Sequence, residues 1–162
     1  MDYREALDLV IDPGLRLLPE RMNTHEARVM MLAIGMQESR FSHRRQISGP
    51  ARGFFQFEKG GGVAGVLAHA STKRIIDPIL KKLHIEGQNC YEAIVYNDAL
   101  ASVFCRLLLW THPKALPSLS SEPGESWQYY LDTWRPGKPH RHTWDGFLLE
   151  AREAVGADRY AE

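Results

Sequence analysis

The sequence predicts a mainly α-helical protein with one small glycine-rich insert of irregular or β structure. Apolar residues recur at helical spacing in several segments, and no segment shows the strict apolar-polar alternation of a half-buried strand. The insert is expected between Ser48 and Gly65, where six glycines and one proline are interleaved with three phenylalanines.

The chain of 162 residues has the length of one domain of ordinary size. We therefore expect a single domain over residues 1–162. Its polar motifs lie in residues 24–112, and an aromatic-rich helical part follows in residues 125–156. The sequence leaves the oligomeric state open, and we assume a monomer.

The N-terminal elements are predicted from helical spacing and from the residues that interrupt it. Residues 3–10 follow helical spacing, Pro13 and Gly14 break the pattern, and residues 15–18 resume it. This predicts a short helix, a turn and a second short helix.

The next helix carries the first chemically interesting residue. Thr24 is a suitable N-cap, and the residues after it are apolar around most of the helix circumference until the pattern stops at Glu38. We expect this helix to be largely buried, with Glu38 emerging beside the core. The glycine-rich segment that follows favours a loop-rich wall over a helix.

Three further helices are expected in the second half of the chain, each bounded by proline, glycine or a polar connector. They cover residues 77–83, residues 91–110 as the longest helix, and residues 144 or 145 to 155. A surface loop rich in Ser, Pro and Gly separates the last two helices.

Composition excludes several classes of function. Twenty Lys and Arg balance twenty Asp and Glu, so the chain has no net field that would attract nucleic acid. The longest apolar stretch is too short to cross a bilayer, and no CxxC or HExxH pattern indicates a metal site. We expect no cofactor, no metal, no membrane span and no nucleic-acid partner.

The two cysteines and the N-terminus bear on the cellular compartment. Cys105 lies in an apolar helical run, which favours a buried free thiol, although a disulfide with Cys90 stays open. The N-terminus has acidic residues in place of a positive n-region, and no long apolar h-region follows. We expect synthesis in the cytoplasm without a Sec-type signal.

Glu38 has the setting of a proton donor. Burial against apolar groups raises the pKa of a carboxyl group towards neutrality, which is where a general acid is most effective. Taken alone, however, a glutamate at the end of a helix is more commonly an ordinary surface residue than a catalytic one.

Two other polar motifs follow Glu38 in the sequence. The turn sequence GFFQ at residues 53–56 offers a glycine for close backbone approach and the Gln56 amide for hydrogen bonds. Tyr96 and Asn97 interrupt a later apolar segment, and a tyrosine in such a segment usually hydrogen-bonds a buried group.

In this order, Glu38-Ser39, GFFQ at residues 53–56 and Tyr96-Asn97 resemble the E-S, G-L-M-Q and A-Y-N signatures of goose-type-lysozyme-like lytic transglycosylases. The whole chain resembles a phage-encoded member of that superfamily. The motifs fall within residues 26–100 and have little specificity singly but moderate specificity as a set.

The chain departs from the family pattern at a few positions. Phe54-Phe55 stand where the family has Leu-Met, Val95 replaces Ala before the Tyr-Asn pair, and Ala99 replaces the glycine that commonly follows it. None of these changes removes a reactive group.

The resemblance implies a helical, lysozyme-like domain with a cleft for the glycan strands of peptidoglycan. Glu38 would be the one catalytic acid/base. In the family the glutamate protonates the glycosidic oxygen between N-acetylmuramic acid and N-acetylglucosamine, and the substrate acetamido group stabilises the developing positive centre. The glutamate then deprotonates the C6 hydroxyl, and a 1,6-anhydro sugar forms.

By the same resemblance, Ser39 would hydrogen-bond near the scissile unit, Gln56 would contact the N-acetyl sugar, and Tyr96 would orient Glu38. Asn97 belongs to the same substrate-binding set. Phe55 is a candidate for a glycan subsite, because aromatic rings stack on sugar faces.

Two alternatives stay open. The first is a hydrolysing muramidase, which would need a second carboxylate; Glu58, Asp77 and Asp98 are the nearest candidates by position. The second is a virion structural or glycan-binding module on a lysozyme-like scaffold. If the protein is an enzyme, we expect it to act at the bacterial cell wall in the periplasm, as an endolysin or as a virion-associated enzyme.

Overall fold

The fold is built from helices in the region described by the structure, a computed structural model that describes residues 1–157. No β-strand occurs in that region, so the prediction of a mainly helical fold is confirmed. The α-helices are α1 (Tyr3–Ala6), α2 (Asp12–Leu15), α3 (His25–Glu38), α4 (Ala64–Ala68), α5 (Ala70–Lys82), α6 (Cys90–Tyr96), α7 (Asp98–Trp110), α8 (Pro123–Trp134) and α9 (Arg141–Ala157). Helical turns of other types are Leu7–Ile11 and Lys59–Val63 (π) and Glu20–Met22 and Gly87–Asn89 (3₁₀).

Two buried helices, α3 and α7, form the centre of the core. Thr24 caps α3 by accepting a hydrogen bond from the backbone N–H of Ala27 at 3.1 Å, as predicted. Helix α3 is buried from Val29 to Gly35, and α7 is buried from Leu100 to Leu109. Helix α3 packs mainly against α9, and α7 packs mainly against α2. Glu38 therefore stands at the end of a central helix.

The N-terminal segment corrects the prediction of two short helices with a turn between them. The chain stays helical through Pro13 and Gly14, because a π-helical stretch over Leu7–Ile11 precedes the proline. The hydroxyl of Ser102 on α7 donates to the carbonyl of Val10 at 2.8 Å, which satisfies an acceptor where the helical ladder is disturbed. The segment then ends at Leu15.

The helix predicted over residues 91–110 is two helices. Segments Gly87–Tyr96 and Asp98–Trp110 are bent by 119° at Asn97. The Asn97 side chain accepts a hydrogen bond from the N–H of Leu100 at 2.9 Å and so caps α7. Apolar spacing runs on across this bend, and for that reason the pattern alone did not reveal it.

Two other boundaries differ from the sequence predictions. Helix α5 begins at Ala70, well before Asp77, because His69 caps it by accepting from the N–H of Ser71 at 3.2 Å, and Pro78 lies inside it. The last helix begins at Arg141, a few residues before the predicted start. Proline at position 78 suggested a helix start but is tolerated within the helix.

The glycine-rich segment also differs from its prediction. Residues 45–57 form turns joined by two isolated β-bridges, Arg45 with Arg52 and Arg52 with Phe57. The glycines at 60 to 62 do not form a loop-rich wall, because they lie in the π-helical turn Lys59–Val63, where only Gly61 has non-helical dihedral angles. Glycine allows the backbone to form either a loop or a helical turn, so the composition of residues 60–62 did not distinguish the two.

The structure shows the state of both cysteines and the lengths of the apolar helices within the described residues. Cys90 and Cys105 are both buried free thiols, so the buried thiol expected at Cys105 is confirmed. Within residues 1–157, no single helix is long and apolar enough to cross a membrane. The two segments on either side of the Asn97 bend meet the length and apolarity requirement only when they are taken together.

Candidate active site

A groove of about 1030 Å³ runs past the C-terminal end of α3. It is bordered by the turns of residues 43–62, by the end of α7 and by the connection between α8 and α9. Of the residues predicted for the site, Glu38 and Gln56 line it. This volume lies at the upper end of the usual range for small-ligand pockets, so the groove has room for several sugar units.

Glu38 is the last residue of α3, and its carboxyl group faces this groove from a largely buried position. Burial raises the pKa of the Glu38 carboxyl to about 7, and a hydrogen bond from Tyr130 acts in the opposite direction. The carbonyl dipoles at the end of α3 also disfavour a negative charge there. Glu38 can therefore both give and accept a proton near neutral pH.

Tyr130 on α8 holds the Glu38 carboxyl group. Its hydroxyl donates to Glu38 Oε1 at 2.6 Å, and its ring is buried and stacked on Trp144 with centroids 5.0 Å apart. Burial and the nearby Glu38 raise the pKa of Tyr130, so the hydroxyl remains a proton donor. The packed ring fixes the hydroxyl, and the hydroxyl fixes one carboxyl oxygen.

Ser39 is buried and holds the backbone behind the groove. Its hydroxyl donates to the carbonyl of Phe54 at 2.7 Å and accepts from the N–H of Phe41 at 3.1 Å. The sequence interpretation placed Ser39 beside the scissile unit, but its hydroxyl points into the protein. Ser39 instead joins the end of α3 to the turn at residues 53–56.

The turn at residues 53–56 has a backbone that its glycine makes possible. Arg52 and Phe57 exchange two backbone hydrogen bonds, at 2.9 and 2.8 Å, and close the turn. Gly53 has φ +72°, and a Cβ atom there would lie 3.1 Å from the carbonyl oxygen of Ile94. Gln56, with φ 51°, places its side chain in the groove, where Nε2 donates to the carbonyl of Gly53 at 2.8 Å.

Phe55 is fully buried, so its ring does not form the exposed sugar platform expected for a glycan subsite. Its backbone has a function in the wall: the indole N–H of Trp134 donates to the Phe55 carbonyl at 3.0 Å. The Trp134 ring lines the groove and packs against Phe57, with centroids 5.6 Å apart. The aromatic surface offered to a ligand is therefore Trp134.

Tyr96 and Asn97 lie outside the groove lining. Tyr96 is 79% exposed, and its hydroxyl accepts a hydrogen bond from Arg45 at 3.0 Å. The expected contact between Tyr96 and Glu38 is replaced by the contact from Tyr130. Asn97 caps α7 at the bend described above.

The end of α3 is also tied to the wall opposite the turn. The Gln37 amide donates to the carbonyl of His140 at 3.0 Å and accepts from the hydroxyl of Thr143 at 2.9 Å. Gln37 thus fixes the start of α9 beside Glu38. Both walls of the groove are held by residues adjacent to the central carboxyl group.

The charged groups of the groove include no excess of cations. The lining holds the carboxyl groups of Glu38, Glu58 and Asp132 beside Arg135 and Lys138. The His112 and Gln128 side chains hydrogen-bond Asp132 and lower its pKa. Residues 1–157 contain no group of three His, Cys, Asp or Glu side chains that could hold a metal ion. A groove without excess positive charge does not favour a nucleic acid.

Sequence reasoning missed the partner of Glu38. In the sequence, Tyr130 is one of several aromatic residues in the predicted helical part of residues 125–156, and its contact with Glu38 spans 92 residues. The available signal was the spacing of Tyr130 and Trp134, which places both on one face of a helix.

Comparison of the chain with protein-family models, with curated proteins and with solved structures found no match.

Tyr130→Phe is expected to raise the pKa of Glu38 further, because the hydroxyl that favours the carboxylate is removed. The measurement is a ¹³C NMR titration of the Glu38 carboxyl group in the wild type and the variant. Tyr129→Phe is the matched control, since the Tyr129 hydroxyl donates to the carbonyls of Leu109 and Lys114. An unchanged Glu38 titration in Tyr130→Phe would contradict the role given to this hydroxyl.

Proposed function

We propose that this protein is a lytic transglycosylase that cleaves the β-1,4 bond between N-acetylmuramic acid and N-acetylglucosamine in peptidoglycan. The observation that carries the proposal is the Glu38 carboxyl group, whose pKa is raised to about 7 in a groove large enough for a polymer segment. The motif resemblance at residues 38–39, 53–56 and 96–97 supports the same reaction.

In this proposal Glu38 acts twice. The protonated carboxyl group gives its proton to the glycosidic oxygen as the C1–O bond breaks. The substrate's own acetamido oxygen stabilises the positive centre at C1. The Glu38 carboxylate then takes the proton of the C6 hydroxyl, and O6 forms the new bond to C1. The product is a 1,6-anhydro sugar, and Glu38 is protonated again without consuming water.

The pKa of Glu38 suits this double use. A general acid/base is most effective when its pKa lies near the operating pH, because both forms are then accessible. Tyr130 holds one oxygen at 2.6 Å, which leaves the other carboxyl oxygen for proton transfer. Tyr130 is in this account a positioning residue.

The groove walls supply binding chemistry for an N-acetylated glycan. Trp134 offers a ring that can stack on a sugar face. Gln56 offers an amide that both donates and accepts, which matches an acetamido group. The lining has no excess positive charge, and an uncharged sugar backbone requires none.

A hydrolysing muramidase is the second candidate, because two further carboxylates, Glu58 and Asp132, line the same groove as Glu38. Glycosidases that add water use a pair of carboxyl groups, one as acid and one as base or nucleophile. The hydrogen bonds from His112 and Gln128 lower the pKa of Asp132, so its carboxyl group has the ionised form that a base needs.

The test is mass spectrometry of soluble fragments released from purified peptidoglycan by the wild-type protein and by Glu38→Gln. We expect fragments lighter by one water than the hydrolysis products, with none from the variant. Fragments with reducing ends would establish hydrolysis, and Glu58→Gln and Asp132→Asn would then identify the second carboxylate. Binding of glycan without any release would overturn the enzyme proposal in favour of a glycan-binding module.

The place of action follows from the substrate. We infer that the protein acts at the bacterial cell wall, as an endolysin or as part of a virion.

A further inference from the structure

A second cavity, of about 520 Å³, lies beside the end of α7 and shares no lining residue with the Glu38 groove. Its lining includes Arg106, Leu109, Trp110, Lys114, Leu116 and Tyr129. The volume is typical of a site for a small molecule.

Arg106 is the unusual residue of this cavity. Its side chain is only 3% exposed, yet no carboxylate within residues 1–157 lies at ion-pair distance from it. One guanidinium nitrogen, Nε, donates to the carbonyl of Met22 at 2.8 Å. A buried guanidinium without an anionic partner is costly, and burial accordingly lowers the pKa of Arg106.

The terminal guanidinium nitrogens of Arg106 are the groups left for a ligand. They have no hydrogen-bond partner among residues 1–157, and Arg106 lines the cavity. The guanidinium lies 5.1 Å from the ring centroid of Trp110, which restricts its orientation. A planar guanidinium held in this way presents paired N–H donors that match a carboxylate.

The other charged groups of the lining define the charge of a suitable ligand. Lys114 and Glu26 offset each other, and His112 is paired with Asp132 at 3.1 Å. Arg106 therefore leaves the cavity with about one net positive charge. The hydroxyl of Tyr129 donates to protein carbonyls, so it is already occupied.

The remaining lining is apolar. Leu109, Leu116 and the ring of Trp110 surround the space next to the guanidinium. A ligand with a polar group at one end and an apolar body at the other would satisfy both parts of the cavity.

We propose that this cavity binds a small organic monoanion, in which a carboxylate contacts Arg106 and an apolar or aromatic body contacts Trp110 and the leucines. The site is separate from the groove and does not depend on the reaction proposed there.

Benzoate and benzamide are suitable probes, because they share a ring and differ in the charged group. Each is titrated into the ¹⁵N-labelled wild-type protein, and the indole N–H of Trp110 is followed by NMR. We expect benzoate to shift this signal with a dissociation constant in the millimolar range or tighter, and benzamide to bind at least about tenfold more weakly. Equal binding of the two probes, or no response to millimolar benzoate, overturns the proposal.

Arg106→Gln tests the residue directly and is expected to weaken benzoate binding by about tenfold or more. Arg21→Gln is the matched control, since Arg21 also lies over the Trp110 ring, at 5.8 Å, but is exposed and does not line the cavity. Benzoate affinity that is unchanged in folded Arg106→Gln contradicts the site. If that variant does not fold, the comparison of benzoate with benzamide in the wild-type protein decides.

Discussion

Glu38→Gln is expected to lower the rate of peptidoglycan cleavage by about 10²- to 10⁴-fold, which is the contribution usual for general acid/base catalysis. The amide has nearly the shape of the carboxyl group and can still accept the hydrogen bond from Tyr130, but it has no acidic proton to give. Because Glu38 serves both proton transfers in the proposed reaction, we expect the upper part of this range. The measurement is the rate of release of soluble glycan fragments at equal protein concentration.

The same substitution is expected to stabilise the protein above neutral pH. The pKa of Glu38 is about 7 in the folded protein, against an ordinary value of 4.5. Between these two values the folded state holds a proton that the unfolded state has lost, so the free energy of unfolding of the wild type falls as pH rises through this window. The full cost is at most about 3 kcal/mol, since Glu38 retains some access to solvent in the groove.

Gln has no charge at any pH, so Glu38→Gln escapes this cost. We expect equal stability of variant and wild type at pH 4, a growing advantage of the variant from pH 5 to pH 7, and a constant advantage at pH 8. Urea unfolding at pH 4, 6 and 8 measures the difference.

Glu58→Gln is the control, since Glu58 lines the same groove with an exposed side chain. It is expected to leave the pH dependence of unfolding unchanged. A Glu38→Gln variant whose stability follows the wild type at every pH would show that the carboxyl group is not held in a costly environment.

The position of Glu38 could be predicted because its causes are local in sequence. A cap at Thr24, apolar residues around the helix and a polar end are all visible in one stretch of chain, and they place a carboxyl group beside the core. The prediction of a buried helix ending at Glu38 is confirmed. Gln56 could be placed in the groove for a similar reason, because Gly53 allows the tight turn that carries it.

The remaining site geometry depends on contacts between distant segments. Tyr130 reaches Glu38 because α8 packs at the edge of the groove; the spacing of Tyr130 and Trp134 places both on one helix face but does not specify the contact with Glu38. Tyr96 was the local candidate, but the bend at Asn97 leaves it exposed. Side chains whose contacts are set by packing cannot be assigned from apolar spacing, which is the same on both sides of the bend.

Gly35→Ala is expected to affect stability and activity together, because Gly35 lies under the aromatic cluster behind the groove. A Cβ atom at Gly35 would lie 2.0 Å from Cζ of Phe41, so the ring must move. Phe41 is buried and packs against Phe54 and Phe55, with ring centroids 5.6 and 5.9 Å away. Movement of the Phe41 ring would therefore displace Phe54 and Phe55, and with them the turn that carries Gln56.

Overpacking of this kind costs about 1–3 kcal/mol, and the ring here has little free space, so we expect the upper end of that range. The higher helix propensity of alanine offsets this by about 1 kcal/mol of folding free energy. The net loss is about 2 kcal/mol, which lowers the melting temperature by about 4–8 °C in a protein of this size. Circular dichroism on heating measures this shift.

Gly146→Ala is the matched control, because Gly146 also lies in a helix, α9, but a Cβ atom there meets nothing within 4 Å. This variant is expected to be more stable by about 0.5–1 kcal/mol and fully active. Gly35→Ala, assayed well below its melting temperature, is expected to cleave glycan more slowly, since a displacement of about 1 Å at a site of this kind costs about a hundredfold in rate. A variant that melts and cleaves like the wild type would mean that the Phe41 ring moves aside without disturbing the turn, and that the backbone behind Glu38 is not what positions the groove.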